Sequence, residues 1–439
     1  MDKYIQKFRY IILIGIVLLG FLLRSNNLYT WPRLGATFDE YAWTWLGINL
    51  IQNHAPTSWS PHAVYSNAKD ITYQKTHFRL VTPYLEHPPL FGLVAGSYAL
   101  VSGVKDMYHL DLQHVRGLAL ILGIISILMV YFFASEIYGV SIGLLAAFLY
   151  SITPTVVIGS RIVENENFFI PFFLLSLFLI SKYIKSKRKL FFYSAAIICG
   201  LLALAKVPWL IAGVSICLIF MYLRQYKNAI IFGSITILIF SVFFLYGILL
   251  DSKLFFALWQ LQLHRYDIAF NSFFAVFTSP YLVDRFFVDG WIYFGWLAMI
   301  LLLTKEIKKN YMVIFPFISY LLIFIFAIPN EPSHGWYRYP FYPFMIIATA
   351  VFLKEYFNKN YILTFIFLIF TGLSMLQLSW ANSLGFSFTI FRFFLFLFGL
   401  SMLPLFIPKT KKLATIANYT SVVIIFILNI WTILVYNEQ

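Results

Sequence analysis

Long apolar runs separated by short polar gaps dominate the chain, and runs of this length predict helices that cross a membrane. They fall at roughly 10–24, 116–134, 140–158, 168–181, 190–205, 209–223, 229–250, 291–304, 311–328, 341–353, 361–379, 386–407 and 413–436. The pattern therefore predicts an all-α polytopic membrane protein with about thirteen transmembrane helices. Two polar-rich intervals interrupt it, at 25–115 and 251–290, and these read as long loops on one side of the membrane.

The gaps also differ in charge. With the N-terminus in the cytoplasm, Lys3, Lys7 and Arg9 fall on the cytoplasmic side, as do the clusters Lys182 to Lys189, Arg224 with Lys227, Lys305 to Lys309, Lys354 with Lys359, and Lys409 to Lys412. That side then holds eighteen basic residues against the acids Asp2, Glu136, Glu306 and Glu355, and so carries the whole net charge of +14. This is the asymmetry of the positive-inside rule. It also decides the run from Leu90 to Val104. Counted as a crossing, it would invert every later loop, so it is predicted as a re-entrant or interface-lying helix inside a first external loop spanning 25–115.

Composition agrees. Of 439 residues, 61% are hydrophobic and 11% charged, with a mean hydropathy of +0.81, well above the usual soluble range. The basic residues mark topology, so nucleic acid is not an expected partner. Cys199 and Cys217 both lie in apolar runs and imply neither a disulfide framework nor a zinc site. The first apolar run is followed by Arg24-Ser25-Asn26-Asn27, without a small-x-small cleavage site, and reads as a retained helix with Arg9 and Arg24 snorkelling. Repeats and a separate soluble domain are not evident, so 1–439 is expected to be one integral membrane domain.

Polar chemistry concentrates on the predicted outer side. Asp39 and Glu40 stand in Thr37-Phe38-Asp39-Glu40-Tyr41, near the end of the first helix. A carboxylate there suits general-base work on a hydroxyl. Thr37 and Glu40 also fit a capping box, and the two readings coexist if Glu40 caps while Asp39 faces a site. Glu86 and His87 precede Pro88-Pro89, which open a helix, so the pair is either a solvated entry or a phosphate donor group. Arg161, Glu164 and Glu166 flank a helix start, as an acid with a cationic clamp or as an ordinary cap. Lys206 lies between two apolar runs, where a lone cation is costly unless it snorkels. Arg338, framed by His334, Tyr337 and Tyr339, offers a planar donor fork for phosphate. The remaining histidines, His62 among them, read as surface residues, and Arg392 has no assigned partner.

The Asp39-Glu40 pair, His87-Pro88-Pro89-Leu90, Arg161 with Glu164, Lys206 before Pro208 and the count of spans together resemble the C-type polyprenyl-phosphate-sugar glycosyltransferases. The layout is similar to the protein O-mannosyltransferases and the lipid A aminoarabinose transferases over most of residues 1–350. The resemblance implies inverting transfer from a polyprenyl-phosphate sugar to an acceptor hydroxyl, with Asp39 as base. Glu40 and Glu164 would orient the base or the acceptor, and Glu86, His87, Arg161, Lys206, His334, Tyr337, Arg338 and Tyr339 would hold the donor. The expected partners are that lipid donor, a hydroxyl-bearing acceptor and the lipids of the plasma membrane, with the site facing outside. No cofactor is required on this reading, and no metal is assigned. The chain departs from the mannosyltransferases in lacking their inserted lumenal domain. It departs from the aminoarabinose enzymes in lacking a periplasmic C-terminal domain and in having Glu-His where they have Glu-Lys. A transporter or lipid-linked sugar flippase is the competing class, and a catalytically inactive binding partner on the same scaffold is a third.

Overall fold

The computed structural model describes residues 2–264, 276, 281–286, 288–305, 307–327, 334–373 and 388–436. It is mostly helical, and every predicted apolar run lies largely on helix over its described part. The helices are α1 (Asp2–Ser25), α2 (Asp39–Asn53), α3 (Leu90–Val101), α4 (Leu112–Tyr138), α5 (Val140–Ile152), α6 (Pro154–Gly159), α7 (Asn165–Ser186), α8 (Lys189–Ala203) and α9 (Ile211–Tyr222). They continue as α10 (Tyr226–His264), α11 (Gly290–Thr304), α12 (Ile307–Ala327), α13 (Tyr342–Glu355), α14 (Tyr361–Leu373), α15 (Phe388–Gly399), α16 (Leu403–Phe406) and α17 (Lys411–Val435). Among the described residues, six helical segments are long and apolar enough to cross a membrane.

Local chemistry sets the breaks. Asp111 caps α4 by accepting from the backbone N–H groups of Gln113 and His114. Gly139, at φ +91°, ends that helix in a conformation that favours glycine and leads directly into α5. The predicted span 140–158 is two helices, because Pro154 cannot continue the first and instead opens the second. Asp251 leaves helical geometry inside α10, and its side chain accepts from Leu254 N–H to restart the helix.

In the bundle, α4 packs against α5 and α7, α7 against α8, α8 against α10, and α11 against α13. Large apolar side chains on the outer faces of α1, α10 and α17 stay exposed, including Ile14, Leu22, Ile237, Leu249 and Ile427. Such faces suit a lipid surround.

The expectation of an all-α protein needs correction in the first long loop. There a three-stranded antiparallel sheet runs in the order β1 (Ser58–Trp59), β3 (Thr76–Val81), β2 (Lys69–Tyr73), with Ser58 opposite Val81 and Asp70 opposite Arg79. A small hairpin, β4 (Tyr281–Leu282) with β5 (Arg285–Phe286), lies in the second long loop. Arg265, Tyr266 and Asp267 of that loop, and Asn330 to Ser333 of the next, lie outside the described residues.

The run after Pro89 forms α3, twelve residues long and about 18 Å, too short to span roughly 30 Å of hydrocarbon. It lies against α2 at backbone contact. A Cβ on Gly47 would meet Gly92 O at 1.9 Å, and one on Gly96 would meet Gly47 C at 2.4 Å. Trp43 packs on Phe91 and His87 one turn earlier, so the two helices run in the same direction. The seam brings Asp39, at the start of α2, and His87, just before α3, to the same end of the pair.

Candidate active site

A cavity of about 610 Å³ opens at that end. Its lining combines Asp39, Glu86, His87, Glu166, Lys206, His334 and Tyr337 with the apolar side chains of Ile211, Val214, Leu258, Leu263, Ile323 and Ala327. Trp43, Trp59, Tyr84, Trp209 and Trp259 add flat aromatic surface to the lining.

Asp39 is half-buried, and its backbone N–H donates to Thr37 Oγ1 at 3.1 Å. Thr37 Oγ1 in turn donates to Glu164 Oε1 at 2.6 Å, and Trp43 Nε1 donates to Glu164 Oε2 at 3.4 Å. Glu164 is fully buried and, through these two bonds, holds the start of α2 in place. Burial, and then the charges of Asp39 and Glu166, push its carboxyl well above the usual carboxylate range.

Glu40 does not reach the cavity. Its carboxylate receives Arg116 Nη2 at 2.9 Å and Nε at 3.1 Å, together with Val163 N–H at 3.0 Å. The capping box is therefore absent: the residue before α2 is Phe38, and no side chain caps it. Arg116 Nη1 donates onward to the carbonyls of Leu28 and Pro32, so this pair ties α4 to the loop ahead of α2.

Lys206 does not snorkel. Its Nζ lies 2.7 Å from Glu166 Oε1, 4.9 Å from the Tyr337 ring centroid and 5.6 Å from that of Trp209. Burial is the largest single influence and opposes its charge, but Glu166, Tyr337 and Glu164 together outweigh it and hold the ammonium above the usual lysine range. His87 packs 5.2 Å from Trp43, and His334 stacks on Tyr337 at 5.3 Å. Glu86 Oε2 lies 3.6 Å from His62 Nε2.

Three predicted donor ligands fall elsewhere. Arg161 is fully buried, and its Nη2 donates to Leu23 O at 2.8 Å and Ile433 O at 3.4 Å. Arg338 sits over the Phe324 ring and lines a separate small void with Tyr342. The Tyr339 hydroxyl accepts from Val283 N–H, and its ring fills the space beside Gly159. Arg24, expected to snorkel, is buried and donates to Gly20 O and Tyr150 O, while Arg392 is exposed on α15. Conversely, Glu166, expected only to flank a helix start, and His62, expected at the surface, belong to the cavity. The salt bridge of Glu166 to Lys206 joins residues forty positions apart, and nothing local in the sequence signals it.

Comparison with known proteins then decides the architecture. Residues 86–250 match the family model described as dolichyl-phosphate-mannose-protein mannosyltransferase. ArnT from Cupriavidus metallidurans, solved bound to undecaprenyl phosphate, is similar over 97% of this chain and 77% of its own, with a TM-score of 0.58 at 12% identity. This chain has the C-type glycosyltransferase fold. The archaeal oligosaccharyltransferase AglB from Archaeoglobus fulgidus, solved with an inhibitory peptide and a dolichol-phosphate, shares that fold over 95% of this chain, with a TM-score of 0.52 at 14% identity. The chain spans only 56% of the length of that enzyme. No curated protein sequence matches the chain.

Proposed function

We propose that this C-type glycosyltransferase fold moves a sugar from a polyprenyl-phosphate donor to an acceptor hydroxyl, with inversion, on the extracytoplasmic face of the plasma membrane. The observation that carries the proposal is that one cavity is lined by a carboxylate, Asp39, by Lys206 and His87, and by the apolar side chains of Ile211, Val214 and Ile323. The polyprenyl chain lies against these apolar side chains and the sugar against the tryptophans. Asp39 accepts the proton of the acceptor hydroxyl as its oxygen bonds to the anomeric carbon from the face opposite the phosphate. The bond from that carbon to the phosphate oxygen breaks, and the electron pair leaves with the lipid phosphate. Lys206 and His87 neutralise the leaving group, so a separate general acid is not needed. Arg161, Arg338 and Tyr339 have no part in this step.

The outward orientation is supported by the bundle itself. Glu136 with Lys182 and Lys185 sits at the C-terminal ends of α4 and α7, whereas Glu164 and Glu166 stand at the N-terminal end of α7. The basic cluster and the cavity are thus separated by the length of a 22-residue helix, about 33 Å. The deciding experiment reconstitutes the purified protein with labelled polyprenyl-phosphate sugars and follows release of the lipid phosphate. Asp39→Asn is expected to slow release by about 10²-fold or more, in line with loss of a general base. Release at the wild-type rate would remove Asp39 from the mechanism, and uptake into sealed vesicles without any release would favour a transporter.

A further inference from the structure

From Asn167 to Leu250 the chain contains no acidic residue, yet it carries eight basic ones. Three of these meet carboxylates from outside the stretch: Lys182 and Lys185 share Glu136, and Lys206 pairs with Glu166. The other five, Lys187, Arg188, Lys189, Arg224 and Lys227, are exposed, and among the described residues none of them forms an ion pair. They stand on or beside two loops, one between α7 and α8 and one between α9 and α10, which the fold sets side by side. Asn228 Nδ2 donates to the Tyr183 hydroxyl at 3.2 Å and to Gln225 Oε1 at 2.8 Å. The Tyr183 carbonyl in turn accepts from Lys187 N–H, which closes α7 with Lys187 at φ +58°. Gln225 N–H donates to Phe220 O and closes the second loop, with Arg224 at φ +57°. The five cations therefore stand on backbone that main-chain bonds hold in place.

Apolar surface begins next to this charge. Phe192 packs on Phe232, and further along Gly200 lies against Ile239, so α8 and α10 run parallel from the basic end. Both present exposed apolar side chains there, Leu190, Tyr193 and Ile197 on α8 and Tyr226 and Ile230 on α10. Positive charge at a helix end marks topology in any membrane protein, but topology does not require the charge to stay uncompensated. Elsewhere on the same side Glu136 and Glu355 answer the lysines around them. An acidic soluble partner would meet the cations and leave the apolar side chains uncovered, whereas a phospholipid meets both. We propose that these two loops form a binding site for an anionic phospholipid of the surrounding membrane, with its phosphate at Arg188, Lys189 and Arg224 and its acyl chains along α8 and α10. The site lies at the opposite end of α7 from the cavity around Asp39, and it rests on the membrane-spanning fold, not on the transferase reading.

The test uses the full chain, purified and delipidated in detergent, with phosphatidylglycerol and phosphatidylethanolamine as probes and native mass spectrometry as readout. Phosphatidylglycerol is expected to bind more tightly by about tenfold or more. Arg188→Gln, Lys189→Gln and Arg224→Gln combined should remove that preference, at about fivefold per charge. Lys409→Gln, Lys411→Gln and Lys412→Gln combined take the same number of charges from another basic loop and should leave it in place. A photoactivatable phosphatidylglycerol in nanodiscs should label the peptides that contain Leu190 and Tyr226 in the wild type, a readout that needs no variant. The proposal is overturned if the two lipids bind equally, if the Lys409 to Lys412 variant loses as much as the loop variant, if the label falls on other helices, or if inorganic phosphate displaces the lipid at equal concentration. Neither readout depends on sugar transfer. Lipid preference in an inactive protein would keep the site and remove the transferase reading, and transfer without lipid preference would do the reverse.

Discussion

Arg116 reaches Glu40 from seventy-six residues further along the chain and holds its carboxylate at 2.9 Å, in a contact from which water is excluded on both sides. Asp39, the neighbouring residue, faces the cavity instead. Adjacent acids at a helix start thus have separate duties, and substitution should separate them. Glu40→Ala leaves a buried guanidinium unpaired, a change that costs about 3–5 kcal/mol. Its thermal unfolding in detergent should shift down sharply. Asp39→Asn should unfold as the wild type does yet release lipid phosphate slowly. Equal unfolding of Glu40→Ala and wild type would show that the pair does not support the fold.

A second prediction concerns Glu164. Its folded-state pKa is raised above the unfolded value by burial and by Asp39 and Glu166. The stability it contributes is therefore full below the unfolded pKa and is lost as pH rises from the ordinary carboxylate range through the raised value. The unfolding temperature should fall over that interval in the wild type. Glu164→Gln keeps an acceptor for Thr37 and Trp43 and cannot ionise, so its profile should be flatter. An identical slope in both proteins would mean that Glu164 does not titrate there.

The glycine seam gives a third. Gly47→Ala would drive a methyl into Gly92 O, and overpacking of this kind costs about 1–3 kcal/mol. Because α2 and α3 carry Asp39 and His87, turnover should fall with stability although Gly47 touches no substrate. Gly15→Ala is the control: its Cβ would meet nothing within 4 Å in α1, and helix propensity there favours alanine. Accumulation and thermal unfolding of the two variants, read side by side, measure the seam.

How much of this was legible in the sequence follows from what each feature depends on. The apolar runs are local and long, so α4, α7 and α17 could be read directly. The sheet in the first loop could not, because β2 carries a mostly exposed, polar face and β1 is two residues long. Asp39 and His87, which line the cavity, were singled out through motifs, whereas the partner of Glu40 lies seventy-six residues away and that of Glu166 forty. Arg161 and Arg338 looked like phosphate ligands because arginine beside polar or aromatic residues suits phosphate. The fold instead uses Arg161 to satisfy the carbonyls at the ends of α1 and α17, and packs Arg338 over Phe324. Residue type is written in the sequence; the direction in which a buried side chain points depends on long-range packing.

That difference supplies the fourth prediction, which compares two cations. Lys206 lines the cavity, and Arg161 does not. If Lys206 neutralises the donor phosphate, Lys206→Met should raise the donor KM and lower kcat, because it removes charge from the ground state and the leaving group alike. Glu166 would then be left without its ammonium, so Lys206→Met with Glu166→Gln is the companion variant that separates lost phosphate binding from an orphaned carboxylate. The double variant should recover stability without recovering turnover. Arg161→Met removes a buried guanidinium whose Nε and Nη1 make no hydrogen bond among the described residues. It should change the unfolding temperature while leaving the donor KM where it was. A donor KM that rises equally in Arg161→Met and Lys206→Met would place phosphate recognition deeper in the bundle than the cavity around Asp39.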